Sequence, residues 1–238
     1  QRETAEDRAL VERALAGVAR LNRRYAGTAG GPFFLLHRER TWSPTERCWM
    51  GWERKRGKLE ELGRVLSAEG DVETTFRWTS APLDELRRFR FVLTLDADTL
   101  LPRDAAARLA ATLAHPLARP RLEAGRVVEG YAILQPRVEI HPVESHATRF
   151  AGIFAGDASF DVYSRAVSDV YQDLFGRAIF AGKGIYDAAA FHAAVSHRVP
   201  EGSLLSHDLF ESLYARCALV SDVAVFERHP PNVLVYLQ

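Results

Sequence analysis

The most constraining feature of this chain of 238 residues is an apolar run that ends in two acids. Phe89, Phe91, Val92, Leu93 and Leu95 lead directly into Asp96-Ala97-Asp98-Thr99. An apolar segment of this kind, lacking strict alternation, reads as a strand of a parallel sheet covered on both faces. Ligands of such sheets bind beyond the carboxyl ends of the strands, which is where Asp96 and Asp98 fall. At positions i and i+2 of an extended chain two carboxylates point the same way, toward one hard cation. An ion held by only one or two carboxylates keeps positions open for phosphate oxygens. The plainer reading of the same residues is a solvated turn with an acidic cap for the next helix.

The rest of the chain alternates helical and extended patterns. Thr4, followed by Glu6 and Asp7, reads as a helix start. Leu10, Val11, Ala14, Leu15, Val18 and Leu21 then recur at helical spacing, and Gly27, Gly30, Gly31 and Pro32 close the helix. Phe33–Leu36 reads as a short buried strand, Trp42–Trp52 as irregular and aromatic-rich, and Glu53–Leu66 as a charged amphipathic helix. Pro102 opens a helix through Leu113 that stops at His115-Pro116. Val127–Ile140 reads as one or two strands interrupted at Pro136, and Thr148–Phe175 as mostly helical. Gly182-Lys183-Gly184 reads as a turn before a helix from Asp187. Ser206 caps a helix carrying Asp208 toward Cys217, and Val223–Phe226 is a last strand. The pattern predicts an α/β domain with helices on both faces of its sheet.

Composition narrows the function. Lys plus Arg number 31 and Asp plus Glu number 31, so the formal charge is zero. A general nucleic-acid binder needs a basic surplus, and none is expected here. Cys48 and Cys217 cannot make a disulfide framework and suit a reducing compartment. No apolar run reaches the roughly 18 residues of a spanning helix. The chain starts at Gln1 in a helical pattern and stops at Gln238 in an apolar stretch, as a piece of a larger protein would.

Other groups could carry chemistry. In Ser206-His207-Asp208 the acid at a helix start could accept a hydroxyl proton, or simply satisfy the helix dipole. Three adjacent residues cannot form a hydrolytic triad, which assembles from separated segments. Arg54, Lys55, Arg56 and Lys58 cluster in a neutral chain beside Trp49, Trp52 and Gly57, as a diphosphate site would require, although a solvated helix face is the commoner cause. Phe180-Ala181-Gly182-Lys183-Gly184 permits close backbone approach to a ligand but lacks the spacing of a phosphate-cradling loop. Gln135-Pro136-Arg137 and Ser168–Asp173 set polar groups among apolar ones. The eight histidines show no zinc-ligand spacing. Asp96-Ala97-Asp98-Thr99 also fits the D-x-D-x-T motif of haloacid-dehalogenase-type phosphatases, with Asp96 as nucleophile and Asp98 as acid/base. The motif lies at mid-chain, however, and Ser168–Asp173 matches the required later acids poorly.

Taken together, several strings resemble the glycosyltransferase module of bacterial cyclic β-1,2-glucan synthases. They are Trp49-Met50-Gly51-Trp52-Glu53-Arg54-Lys55-Arg56-Gly57-Lys58-Leu59-Glu60, Leu93–Thr99, Leu134–Val138, Ser168–Gly176, Gly182–Asp187 and Leu205–Leu209. The layout is more distantly similar to processive inverting transferases such as cellulose and chitin synthases. The resemblance implies a GT-A-like, Rossmann-type single domain with a mixed sheet over residues 1–238, a UDP-glucose donor, Mg²⁺ or Mn²⁺, and a β-1,2-glucan acceptor and product. It puts Asp96 and Asp98 at the metal and diphosphate, with Asp98 ahead as direct ligand. Asp208 falls at the general base, His207 at the Glu of the T-E-D motif, and Lys58 at the lysine of a donor-binding K-A-G-like motif, near Arg56. Phe180, Gly182 and Lys183 match the segment that meets the acceptor, and Gln135 lies in a strand near it.

In that scheme Asp208 deprotonates the acceptor 2-hydroxyl, which attacks the anomeric carbon from the face opposite UDP. The first uridine-binding strand and the Q-x-x-R-W motif of the related transferases find no counterpart in residues 1–238. The resemblance implies a parent protein embedded in the bacterial inner membrane with this module on the cytoplasmic side. A non-catalytic nucleotide- or glucan-binding piece is the alternative for the chain alone.

Overall fold

The computed structural model describes residues 1–26, 31–141, 143, 147–154, 170–196, 198–200, 202–203, 207–228, 230 and 232–236. Gly27, Gly30, Ser168, Asp169, Leu205, Ser206 and Gln238 lie outside the described residues. The chain divides into two compact units, one of residues 1–90 with 196–205, the other of residues 91–195 with 206–238.

In the first unit the expected opening helix is α1 (Ala5–Arg24). Thr4 Oγ1 accepts the Asp7 N–H at 3.2 Å while Asp7 Oδ2 accepts the Thr4 N–H at 2.7 Å, a reciprocal cap on two otherwise unpaired donors. The strand expected at Phe33–Leu36 begins later, as β1 (Leu36–Arg38). The hairpin β2 (Thr41–Ser43) and β3 (Cys48–Met50) precedes α2 (Arg54–Ser67), and β4 (Phe76–Thr79) pairs antiparallel with β1.

The chain enters α2 through two left-handed residues, Glu53 and Arg54, at φ 50° and 52°. Gly57 then packs so tightly on Trp52 that any β-carbon would collide with the Trp52 carbonyl oxygen. Inside this unit Glu61 is 2% exposed. Its carboxylate accepts the Thr75 N–H and hydroxyl at 3.1 and 2.9 Å. It faces the buried Arg38 guanidinium at 3.5 Å. Arg38 in turn donates to the Trp52 and Arg54 carbonyls, fastening β1 to the start of α2.

The second unit holds β5 (Phe91–Thr94), α3 (Ala105–Ala114), the hairpin β6 (Arg121–Glu123) and β7 (Arg126–Glu129), and β8 (Ile133–Ile140). There follow α4 (Arg149–Phe154), α5 (Val170–Phe175), β9 (Gly184–Asp187), α6 (Ala188–Val195), α7 (Asp208–Ala215), β10 (Cys217–Glu227) and α8 (Val233–Tyr236). Its main sheet has the order β10-β8-β9-β5, with β10 and β8 parallel and β9 antiparallel to both its neighbours.

Alternate strand residues feed two apolar clusters. Ile133, Tyr186 and Cys217 join Phe191, Ala194 and Ala215 of α6 and α7. Their neighbours Leu134, Ile185 and Ala218 join Ala105, Leu109 and Leu113 of α3. Helices therefore cover both faces of this sheet, as period-two alternation of buried side chains demands.

Further sequence expectations change in this sheet. The apolar run before Asp96 is not a parallel strand: β5 runs antiparallel to β9, its sheet neighbour among the described residues. A strand, β9, lies between the turn at Gly182 and the helix expected from Asp187, and Asp187 caps that helix by accepting the Ala190 N–H at 3.1 Å. Pro136 does not interrupt β8. It sits opposite Val220, where the register of β10 shifts before Ala224, and a proline is tolerated at such an irregularity.

Candidate active site

Most of the residues singled out in the second unit gather around the Gly182 turn, between the end of β5 and the start of β9. Thr94 is the last residue of β5, and its hydroxyl donates to the carbonyls of Gly182 and Gly184 at 3.3 and 3.2 Å. Gln135 of β8 is buried; its Oε1 accepts the Ala181 N–H at 2.9 Å and its Nε2 donates to the Pro136 carbonyl at 2.8 Å. Phe180 is buried beneath the same turn. Gln135 thereby spends its amide on holding the backbone of the turn.

Gly182 has φ +77°, a left-handed conformation that favours glycine. A β-carbon there would lie 2.9 Å from Asp208 Oδ1 and 3.0 Å from Oδ2, so the carboxylate at the start of α7 rests on the turn. Asp208 Oδ1 is buried, lies 3.3 Å from His207 Nδ1, and accepts no hydrogen bond among the described residues. His207 Nδ1 is also 2.8 Å from Oε1 of Glu211, one helical turn on and 3% exposed. The imidazole thus stands between two carboxylates. The histidines carry no zinc-like spacing in the sequence, yet ligand-competent atoms of His207, Asp208 and Glu211 lie within 4.8 Å of one another.

Burial and the nearby Glu211 charge both push the Tyr186 phenol upward, keeping it neutral. Burial likewise raises the Cys217 thiol, so this cysteine is inert packing, while Cys48 is exposed.

On the other side of the turn, Lys183 Nζ lies 2.6 Å from Glu227 Oε1 and 3.2 Å from Asp96 Oδ2. Burial works against its charge, but the hydrogen bonds and charges of Glu227 and Asp96 outweigh it and hold its pKa above the usual lysine value. Asp96 and Asp98 do not sit on a strand as the i, i+2 argument supposed. Asp96–Thr99 is a turn, tied by Thr99 N–H to the Asp96 carbonyl and Asp96 N–H to the Thr99 hydroxyl, both at 3.2 Å. Asp98 is exposed on that turn and makes no ion pair among the described residues. Carboxylate oxygens on an open turn are the donors Mg²⁺ or Mn²⁺ takes; Asp98 offers them directly, whereas Asp96 is shared with Lys183.

Lys58 and Arg56 belong to α2 of the first unit. Lys58 is exposed. Arg56 is held by Glu53 and Glu60, each at 3.0 Å, with its guanidinium 5.8 Å from the Trp52 ring centre. Arg56 is thus neutralised by acids at the cap and in the first turns of its own helix, and Arg54 pairs with Glu46 of the turn between β2 and β3.

Sequence reasoning passed over Glu211 and Glu227. The first carried a signal, since His207 and Glu211 stand four apart on one helix face. The second follows from the last strand being longer than Val223–Phe226 and ending beside Lys183.

Among the described residues no helix is long and apolar enough to cross a membrane. No family model matches the chain. It is 45% identical over 231 residues to the cyclic beta-(1,2)-glucan synthase NdvB of Rhizobium meliloti (strain 1021), an alignment covering 96% of this chain and 8% of that protein. Identity at this level along nearly the whole chain establishes common ancestry: the chain is related to that synthase and corresponds to a small part of its length.

Proposed function

We propose that the chain contributes the metal and general-base region of an inverting glucosyltransferase. In this reading it transfers glucose from UDP-glucose to a β-1,2-glucan acceptor with Mg²⁺ or Mn²⁺, on a GT-A-like fold. The mixed sheet flanked by helices is compatible with that fold, and kinship with a protein named as a cyclic glucan synthase supports the chemistry. The observation that carries the reading is the Asp208 carboxylate packed on the Gly182 turn, with one oxygen buried and not hydrogen-bonded among the described residues. A base must lie within hydrogen-bond reach of the hydroxyl it serves, and the Asp208 side chain keeps 29% of its surface open.

Asp208 takes the proton of the acceptor 2-hydroxyl as that oxygen bonds to the anomeric carbon; the bond from that carbon to the UDP oxygen breaks, and UDP leaves on the opposite face. Inversion turns an α-linked donor into a β-linkage. His207, between Asp208 and Glu211, orients the base. Gln135, Phe180, Gly182 and Lys183 shape the turn against which the acceptor lies. Asp98, with Asp96, would hold the divalent cation, which when bound offsets the charge developing on the diphosphate. Lys58 and Arg56 are the donor-side cations in this reading. The parent would place this module at the cytoplasmic face of a bacterial inner membrane.

Calorimetric titration of UDP-glucose into the wild-type chain and Asp98→Ala, with and without Mn²⁺, tests the reading. Metal-dependent binding lost in Asp98→Ala is the expected result. A folded wild-type chain that binds no UDP-glucose overturns it.

A further inference from the structure

Trp42 and Trp49, in the aromatic segment before α2, have no role in the site just described. In the hairpin of β2 and β3, Trp42 stands directly opposite Trp49. Their ring centres are 5.9 Å apart with planes at 66°, an edge-to-face pair. Such a cross-strand pair steadies a two-stranded hairpin that is marginal by itself. That task needs the contact between the rings and nothing more. Yet Trp42 keeps 51% and Trp49 37% of its surface open, although leaving apolar area in water is unfavourable.

The surroundings say what kind of partner would cover them. Pro44, Thr45, Glu46, Arg47 and Cys48 are all exposed. The turn is internally fixed: Ser43 Oγ accepts the Glu46 N–H at 3.2 Å, and Arg54 holds the Glu46 carboxylate at 3.0 Å. Beside Pro44 and Cys48, the other three of these residues offer hydroxyl, carboxylate and guanidinium groups, which a broad apolar partner would leave unpaired. A β-linked glucose ring matches it: its faces are C–H surfaces that stack on an indole, and its equatorial hydroxyls project toward such polar groups.

We propose that Trp42 and Trp49 form a stacking platform for a β-glucan chain, separate from the residues assigned to chemistry. The choice of a glucan as ligand rests on the glucosyltransferase reading.

Intrinsic tryptophan fluorescence of the full chain titrated with linear β-1,2-glucohexaose tests this, with UDP as a second ligand and thermal melts as the check on folding. The expected result is a saturable change for the hexaose, weakened about tenfold or more in Trp42→Ala and Trp49→Ala, with Trp42→Phe retaining most of the affinity. A folded wild-type chain that gives no change overturns the proposal, as does a change that survives in both alanine variants. A response to UDP alone, lost with these indoles, also overturns it by making the platform a base-stacking site. A chain that binds the hexaose here but never UDP-glucose upholds the platform while the transferase reading falls.

Discussion

The Asp208 carboxylate lies against the α-carbon of Gly182, near enough that a methyl group there would come within 3.0 Å of both its oxygens. Gly182→Ala therefore separates stability from function. A non-glycine residue in the left-handed region costs about 1 kcal/mol, and the clash is with the end of a short side chain that can swing aside. Stability should fall by only that amount, while Asp208 is driven off the turn. Glucosyl transfer should drop at least about tenfold with UDP-glucose binding retained, as read by chemical denaturation, calorimetry and UDP release.

Asp208→Asn removes the base and keeps the shape. A positioned general base is worth about 10² to 10⁴ in rate. UDP release in the presence of acceptor should fall by that range, with donor affinity and melting temperature nearly unchanged. Undiminished turnover in this variant would remove Asp208 from the chemistry.

What the sequence disclosed divides along the reach of the interactions involved. The start of α1 was legible because Thr4 and Asp7 cap each other within one turn. So was α2, from its apolar spacing, although its boundary depends on Trp52 receiving Gly57. β9 was not legible: four residues take an extended form only because β5 and β8 flank them. The direction of β5 is likewise a property of the sheet. Glu61 was hidden for another reason. An acid on a charged helix looks solvated, and only the fold shows that Arg38 and Thr75 await it. Glu211 was half legible: its spacing from His207 puts both on one helix face, but its burial does not follow from that spacing. The pairing of Lys183 with Asp96 and Glu227 joins three separated segments, so only the acidic pair and the glycine turn could be read locally.

Lys183 gives a pH signature. Its folded pKa is raised, so the stability it contributes is fully present below the unfolded lysine pKa and is lost as pH rises through the folded one. Melting temperature should therefore fall through the alkaline range beyond a pH of about 10. Lys183→Met should lower the neutral-pH melting temperature, by leaving Asp96 and Glu227 unopposed, and should flatten that alkaline decline.

Asp7 acts at the other end of the scale. Hydrogen bonds from Arg40, then from Thr4, lower its pKa from 3.8 to about 2. Its contribution is thus complete above the unfolded value and fades as pH falls from 3.8 toward 2. Asp7→Asn should melt at a lower temperature at neutral pH and show a shallower acid limb over that interval. An unchanged acid limb would mean that the Arg40 pair does not form in solution.

Glu61 makes the sharpest stability test, because its charge is nearly sealed from water and so is that of its partner. Burial presses the Arg38 pKa down, and Glu61 is the group that opposes this. Glu61→Ala leaves a buried guanidinium uncompensated and the Thr75 N–H and hydroxyl without their acceptor. Removing one member of a buried pair costs about 3 to 5 kcal/mol, a large share of a typical domain's stability. Glu61→Gln keeps an acceptor for Thr75 and loses only the charge, so it should cost distinctly less. Urea denaturation of the three proteins orders them wild type, Glu61→Gln, Glu61→Ala. Equal losses in the two variants would assign the effect to the charge alone, and equal stability in all three would show that Arg38 finds water.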